Sequence, residues 1–268
     1  MRTIGLVAIS VFRESVRDKI LYSLVIFAVL MISTSYLIGQ LTAGQDVKII
    51  KDLGLASISI FGLLIAVFMG IGLVWKEMEK RSIYALLSKP IRRGEFVVGK
   101  YVGLVLTLFI NLGLMTVAFY AVLAYMDLTT SADIRASWAA PATDIQMLRA
   151  VALIMVELML VTAIALFFST FSTPFLSAML TIGLWVIGHF NDDLRNVGGY
   201  VKSSVAASIG KALYYVLPNF AAFDAKAQVV HAQAVPASYL VLTGVYGLVY
   251  VAFVLLGAVT IFSRRDFI

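Results

Sequence analysis

Apolar residues fall into long runs, and charged residues collect in the segments between them. A helix crosses a bilayer with about 20 apolar residues. Six runs meet or approach that length: Ile20–Ile38, Leu53–Trp75, Tyr101–Tyr125, Ala150–Phe171, Pro174–Phe190 and Tyr239–Phe262. The second and sixth are uncharged throughout. The fifth has 17 residues, or about 26 Å of helix. It follows the fourth across Ser172 and Thr173, and Pro174 suits the first turn of a new helix, so these two runs predict a tight helical hairpin.

Residues 1–19 have a different pattern. Ile4, Val7, Ala8, Val11, Phe12 and Ile20 recur at helical spacing opposite Ser10, Arg13, Glu14, Arg17 and Asp18. That periodicity predicts an amphipathic helix in the membrane interface. The charges and the lack of a small-residue cleavage site argue against a signal peptide. Residues 191–238 are too apolar for a linker, as Tyr214, Tyr215, Val216, Leu217, Phe220 and Phe223 show. They predict one or two short helices, broken at Pro218 and Asn219, that lie on or dip into the outer leaflet. The expected class is an all-α polytopic membrane protein: one transmembrane domain over 1–268, with six spans, an N-terminal interfacial helix and a cytoplasmic loop over 76–100.

Composition agrees with this reading. Hydrophobic residues make up 61% of the 268 and charged residues 13%, against roughly 45–50% and 25% in soluble domains. The net charge of +6 does not point to nucleic acid, because the basic residues flank apolar runs. With the N-terminus inside, 13 of the 21 basic residues face the cytoplasm, among them Arg13, Arg17, Lys76, Lys80, Arg92 and Arg264. The positive-inside rule then places both termini in the cytoplasm. With no cysteine, disulfides, thiol catalysis and thiolate metal sites are excluded.

Candidate chemistry centres on Lys76–Lys100, KEMEKRSIYALLSKPIRRGEFVVGK. Ile83, Tyr84, Leu86 and Leu87 form an apolar face on a short helix ended by Pro90, ringed by basic residues. Such a helix fits a groove on a cytoplasmic partner, and it equally fits anionic lipid headgroups. Gly94–Lys100 has the G-x-x-x-x-G-K skeleton of a phosphate-binding loop. Tyr101 stands where magnesium needs Ser or Thr, however, and no strand precedes it, so the chain is expected to lack an ATPase site of its own.

Two polar groups lie inside spans. Glu157 reads either as a proton relay or cargo contact, or as a carboxyl protonated or hydrogen-bonded to Ser or Thr on a neighbouring helix; the second is preferred, since no other span offers Lys or Arg at its depth. Asn111 reads as a hydrogen-bonding link between helices. His189, Asp192, Asp193 and His231 match no metal-ligand spacing, so no metal site is expected. Gly99-x-x-x-Gly103 has the spacing of a helix-packing seam, and Gly244-x-x-Gly247 offers a second close approach.

Glu79, Arg81, the run Ile83–Ile91, Arg93, Phe96, Gly99 and Lys100 resemble the signature of ABC-2 type transporter permeases. The narrower resemblance is to the branch labelled multicopper enzyme maturation permeases. Phe262–Phe267 resembles that family's ending and Leu217-Pro218-Asn219 its motif before the last helix, so the likeness spans the chain. Ser82 departs from it, since many members of the wider family carry Gly there. The resemblance implies the permease subunit of an ATP-driven exporter in a prokaryotic plasma membrane, paired with a second permease copy and two copies of a cytoplasmic ATPase. ATP and magnesium belong to that partner, and no cofactor is expected in this chain. Glu79, Arg81, Ile83, Tyr84, Leu86, Leu87, Ser88 and Pro90 are then the coupling residues, with membrane lipid as the other contact. The alternatives are an ion-driven secondary transporter, which needs more than Glu157 at the midplane, and a non-transporting anchor for a cytoplasmic complex. A membrane-embedded enzyme fits worst, because no paired carboxylates or Ser-His arrangement is present.

Overall fold

The computed structural model describes residues 2–40, 46–79, 93–138, 141–191 and 204–264, and every regular element among them is helical. In chain order these are α1 (Arg2–Val16), α2 (Lys19–Gln40), α3 (Asp46–Glu79), α4 (Arg93–Thr129), α5 (Ala132–Ala136), α6 (Gln146–Ser169) and α7 (Pro174–His189). There follow α8 (Ser204–Val216), a 3₁₀ turn (Ala221–Phe223), α9 (Lys226–Val230) and α10 (Ala237–Arg264). Five of them (α2, α3, α4, α6 and α10) are long and apolar enough to cross a membrane. The expected fifth span is helical as α7, but with 16 residues it reaches only about 24 Å.

The solvent of this fold is read from its exposed faces. On α2, Leu21, Val25, Ala28, Ile32 and Ser35 form one buried stripe, while Ile26, Phe27, Leu30 and Leu37 are exposed. On α10, Leu242, Val249, Phe253 and Leu256 are exposed. A helix that turns Phe and Leu outward over its whole length is adapted to hydrocarbon, so the chain is an integral membrane protein.

The helix α6 forms the centre. Leu153, Ile154, Leu160, Val161, Ala163 and Ala165 are buried on all its sides, with α3, α4, α7 and α10 packed around it. The helix α3 comes close because it has no side chain at two contacts: a Cβ on Gly62 would lie 2.5 Å from Leu158 Cδ1, and one on Gly70 2.8 Å from Ala165 Cβ. Small residues allow such approaches where lipid tails remove the hydrophobic drive to associate.

The helices outlast their apolar runs. The helix α3 has 34 residues and α4 has 37, each longer than the span expected within it. The helix α4 takes in Arg93–Lys100, so Gly94–Lys100 runs as helix. The helix α1 lies against this same stretch, burying Ala8 and Val11, with its last turn tightened by Arg17 N–H to Glu14 O and Asp18 N–H to Ser15 O. Its seat is the Gly99–Gly103 seam: a Cβ on Gly103 would meet Ala8 O at 2.6 Å and one on Gly99 would meet Val7 Cβ at 2.8 Å. Of the other pair, Gly247 is crowded by Val156 while Gly244 has nothing within 4 Å.

The segment from Leu217 to Val235 folds into the bundle. Phe220, Phe223, Val229 and Val235 are fully buried. Phe220 N–H donates to Gly188 O at 3.0 Å, and Gly188 permits the contact because a Cβ there would lie 2.6 Å from Pro218 O. The helix α9 ends in a Schellman motif: Gln233 N–H donates to Gln228 O at 2.8 Å and Ala232 N–H to Val229 O at 3.2 Å. Ala232 takes the left-handed position, with φ 59°.

Candidate functional site: a buried polar cluster around Glu157

Glu157 stands on α6 eleven residues from Gln146, about 16 Å along the axis, and is 2% exposed. Its partner is neither Ser nor Thr, as the sequence suggested, but the indole of Trp185 on α7, whose Nε1–H donates to Glu157 Oε1 at 2.7 Å. One helical turn on, His189 Nε2 lies 3.7 Å from the same oxygen. The short α7 brings these two residues, four apart on one face, to the depth of the carboxyl.

The imidazole is oriented from behind. His189 Nδ1 lies 3.0 Å from Trp185 O, which can only accept, so Nδ1 carries the proton. Nε2 therefore presents a lone pair to Glu157 when the ring is neutral and an N–H when it is charged. The ring stacks on Phe220 at 5.9 Å and 7°, and the Trp185 ring lies tilted to it at 4.4 Å. A carboxyl and an imidazole held this way can share a proton or form an ion pair.

The folded-back segment contributes charge. Lys226 Nζ donates to Ser59 Oγ of α3 at 3.3 Å and lies 3.6 Å from Asp224 Oδ2. The sequence expectation, that no other span offers Lys or Arg at the depth of Glu157, concerned the spans alone; Lys226 belongs to the segment after α8. Tyr239 Oη to Ala222 O at 2.6 Å and Asn219 N–H to Tyr246 Oη at 2.8 Å pin that segment to α10.

Other candidates are placed separately. Asn111 Nδ2 donates to Thr107 O of its own helix at 2.7 Å, so this bond does not link two helices. His231 is exposed at the end of α9, apart from the inward-turned His189. Among the described residues no group of three or more His, Cys, Asp or Glu could hold a metal ion, while Asp192 and Asp193 lie outside them. Of the coupling residues, Glu79 ends α3, and Arg81, Ile83, Tyr84, Leu86, Leu87, Ser88 and Pro90 lie outside the described residues.

The burial of two lysines was not foreseen from the sequence. Lys51, 1% exposed, donates through Nζ to Pro141 O at 2.8 Å. Lys100, also 1% exposed, sits 4.7 Å over the Phe96 ring. Both flank an apolar run, where a lysine reads as a solvated end; that they turn inward depends on α3 and α4 continuing past those runs.

No curated protein matches the chain. The family model described as ABC-2 family transporter protein matches residues 6–267, nearly the whole chain, which therefore belongs to that family and is a permease subunit of an ABC transporter.

Proposed function

We propose that this chain is one half of the membrane part of an ATP-driven exporter, working with a second permease copy and two copies of a separate cytoplasmic ATPase. The observation that carries the reading is the continuity of α3 and α4. They run unbroken for 34 and 37 residues from the two ends flanking residues 80–92 through the bundle, packed on each other and on α6. A displacement imposed at Glu79 or Arg93 therefore reaches the far end of the bundle as a rigid-body movement. Residues 76–100, carrying Ile83, Leu86 and Leu87, are the docking element. ATP and magnesium act in the partner, as the resemblance to ABC-2 permeases implies. Both termini face the cytoplasm of a prokaryotic plasma membrane. The narrower multicopper maturation branch rests on the resemblance of Glu79, Arg81, Ile83–Ile91, Arg93, Phe96, Gly99 and Lys100.

The test is co-purification of the ATPase in detergent, where no anionic bilayer contributes. A few buried apolar anchors carry most of an interface's energy, so Leu86→Asp with Leu87→Asp removes the ATPase while the helices still insert. Neutralising Lys89, Arg92 and Arg93 weakens lipid attraction by about 1 kcal/mol per charge and leaves docking largely intact. Retention of the ATPase by the leucine double variant at the wild-type level refutes the docking assignment. Bound ATPase whose hydrolysis ignores the permease favours the anchor reading instead.

A further inference from the structure

A cavity of about 420 Å³ opens between α8, the Leu217–Ala222 segment and α10, away from Glu157. Four aromatic rings line it: Tyr214 and Tyr215 from α8, edge to face at 5.1 Å, and Tyr246 and Tyr250 from α10, tilted at 4.9 Å. Asn191 and Thr243 add neutral polar groups and are 3% and 6% exposed. The Oδ1 of Asn191 is buried and has no hydrogen-bond partner. Such a group costs free energy until something donates to it.

The chemistry of the lining selects the ligand. Among the described residues, none of the side chains that line it is Lys, Arg, His, Asp or Glu. A phosphate or carboxylate entering it meets no counter-charge from these residues, which leave its desolvation uncompensated. Aromatic faces with hydroxyls and amides suit a hydroxyl-rich, uncharged group, whose C–H faces lie on the rings while its O–H groups donate to an acceptor such as Asn191 Oδ1. The rim adds a second requirement. Leu242 lines the cavity yet is 73% exposed, and it heads the outward stripe of Leu242, Val249, Phe253 and Leu256 along α10. The cavity therefore opens onto the helix face that meets hydrocarbon, and a ligand with a tail can keep the tail there.

We propose that the α8–α10 cavity binds the neutral, hydroxyl-rich headgroup of an amphiphile of the glycolipid class, with its chain laid along the exposed stripe of α10. This site stands independently of the transport reading and of the ATPase. A tyrosine belt at the membrane surface accounts for the rings, but not for the orphaned buried carbonyl oxygen of Asn191 among them.

The experiment uses the full chain in nanodiscs of phosphatidylethanolamine and phosphatidylglycerol. The probe is an octyl glucoside bearing a diazirine at the head end of its chain, with cross-linked peptides mapped by mass spectrometry. Saturable labelling is expected in the peptides containing Tyr214–Leu217 and Leu242–Tyr250. Dodecyl maltoside should compete at about tenfold lower concentration than dodecyl phosphocholine, and glucose alone should not compete. Tyr250→Ala and Asn191→Ala should each weaken labelling about tenfold, an effect of ~1.4 kcal/mol. Equal competition by dodecyl phosphocholine reduces the site to an interface belt and overturns the proposal. Competition by glucose alone, or labelling that never saturates, overturns it too. The competition is read on the wild-type chain, so it decides the matter even where a variant fails to fold.

Discussion

Gly103 allows the α1 seat to be tested against an internal control on the same helix. A methyl group added at Gly103 lies 2.6 Å from Ala8 O and 2.7 Å from Val11 Cβ, whereas carbon contacts settle near ~3.5–4.0 Å. Both neighbours are rigid, one a backbone oxygen and the other the branch point of a valine, so α1 must move away by about 1 Å. Overpacking of that kind costs about 1–3 kcal/mol. Against it, Gly→Ala inside a helix gains about 0.5–1 kcal/mol from backbone propensity alone. Gly113, ten residues on in α4, has nothing within 4 Å, so Gly113→Ala takes the gain without the clash. The propensity effect cancels between the two variants, and the difference isolates the seam at about 1–3 kcal/mol. At roughly 2–4 °C per kcal/mol for chains of this size, Gly103→Ala should melt about 2–12 °C below Gly113→Ala. Intrinsic fluorescence during heating in detergent, at one fixed scan rate for both, reads this. A Gly103→Ala protein that melts at or above Gly113→Ala refutes the docking of α1 in the seam.

Three further outcomes follow from the same geometry. Glu157→Gln keeps an acceptor for Trp185 Nε1–H and should leave stability and ATPase stimulation near wild type, whereas Glu157→Leu strands a buried donor at about 1–3 kcal/mol; thermal melts of the pair should separate accordingly, and abolished transport in a folded, ATPase-bound Glu157→Gln protein would show that the ionisable proton is used. Ala232→Gly should raise stability by about 1 kcal/mol, because φ 59° costs a Cβ-bearing residue ~1–2 kcal/mol; a lower melting point speaks against the left-handed cap. The chain has no cysteine of its own, so an impermeant thiol reagent on intact cells should label Ser203→Cys and spare Ser88→Cys, and the reverse pattern inverts the orientation.

The membrane character was legible because it is written in run length, which needs no tertiary information. The Gly99–Gly103 seam was legible as a spacing, although nothing in the spacing named α1 as the helix that fills it. The extents of α3 and α4 were missed for a physical reason: a hydropathy run stops at the first charges, whereas Lys, Arg and Glu are good helix formers. Glu157 was legible as an expensive buried group, but its partners were not. In the sequence His189 groups with Asp192, Asp193 and His231 and not with Glu157, and nothing local singles out Trp185. Pairing across such distances in sequence is decided by how the helices pack, and a local pattern does not carry it.

The brevity of α7 sets a condition on the surrounding lipid. Its 16 residues cover about 24 Å, against a hydrocarbon core of about 30 Å. On one side Pro218 and Phe220 close over the helix end at Gly188, and protein makes up the difference. On the other side Met179, Val186, Ile187 and Phe190 are exposed, and there the acyl chains must shorten or tilt to meet them. Each ångström of mismatch costs a fraction of a kcal/mol, so a thicker bilayer strains this flank first. Membrane thickness thereby acts on the protein at α7, the same helix that carries Trp185 and His189 to Glu157.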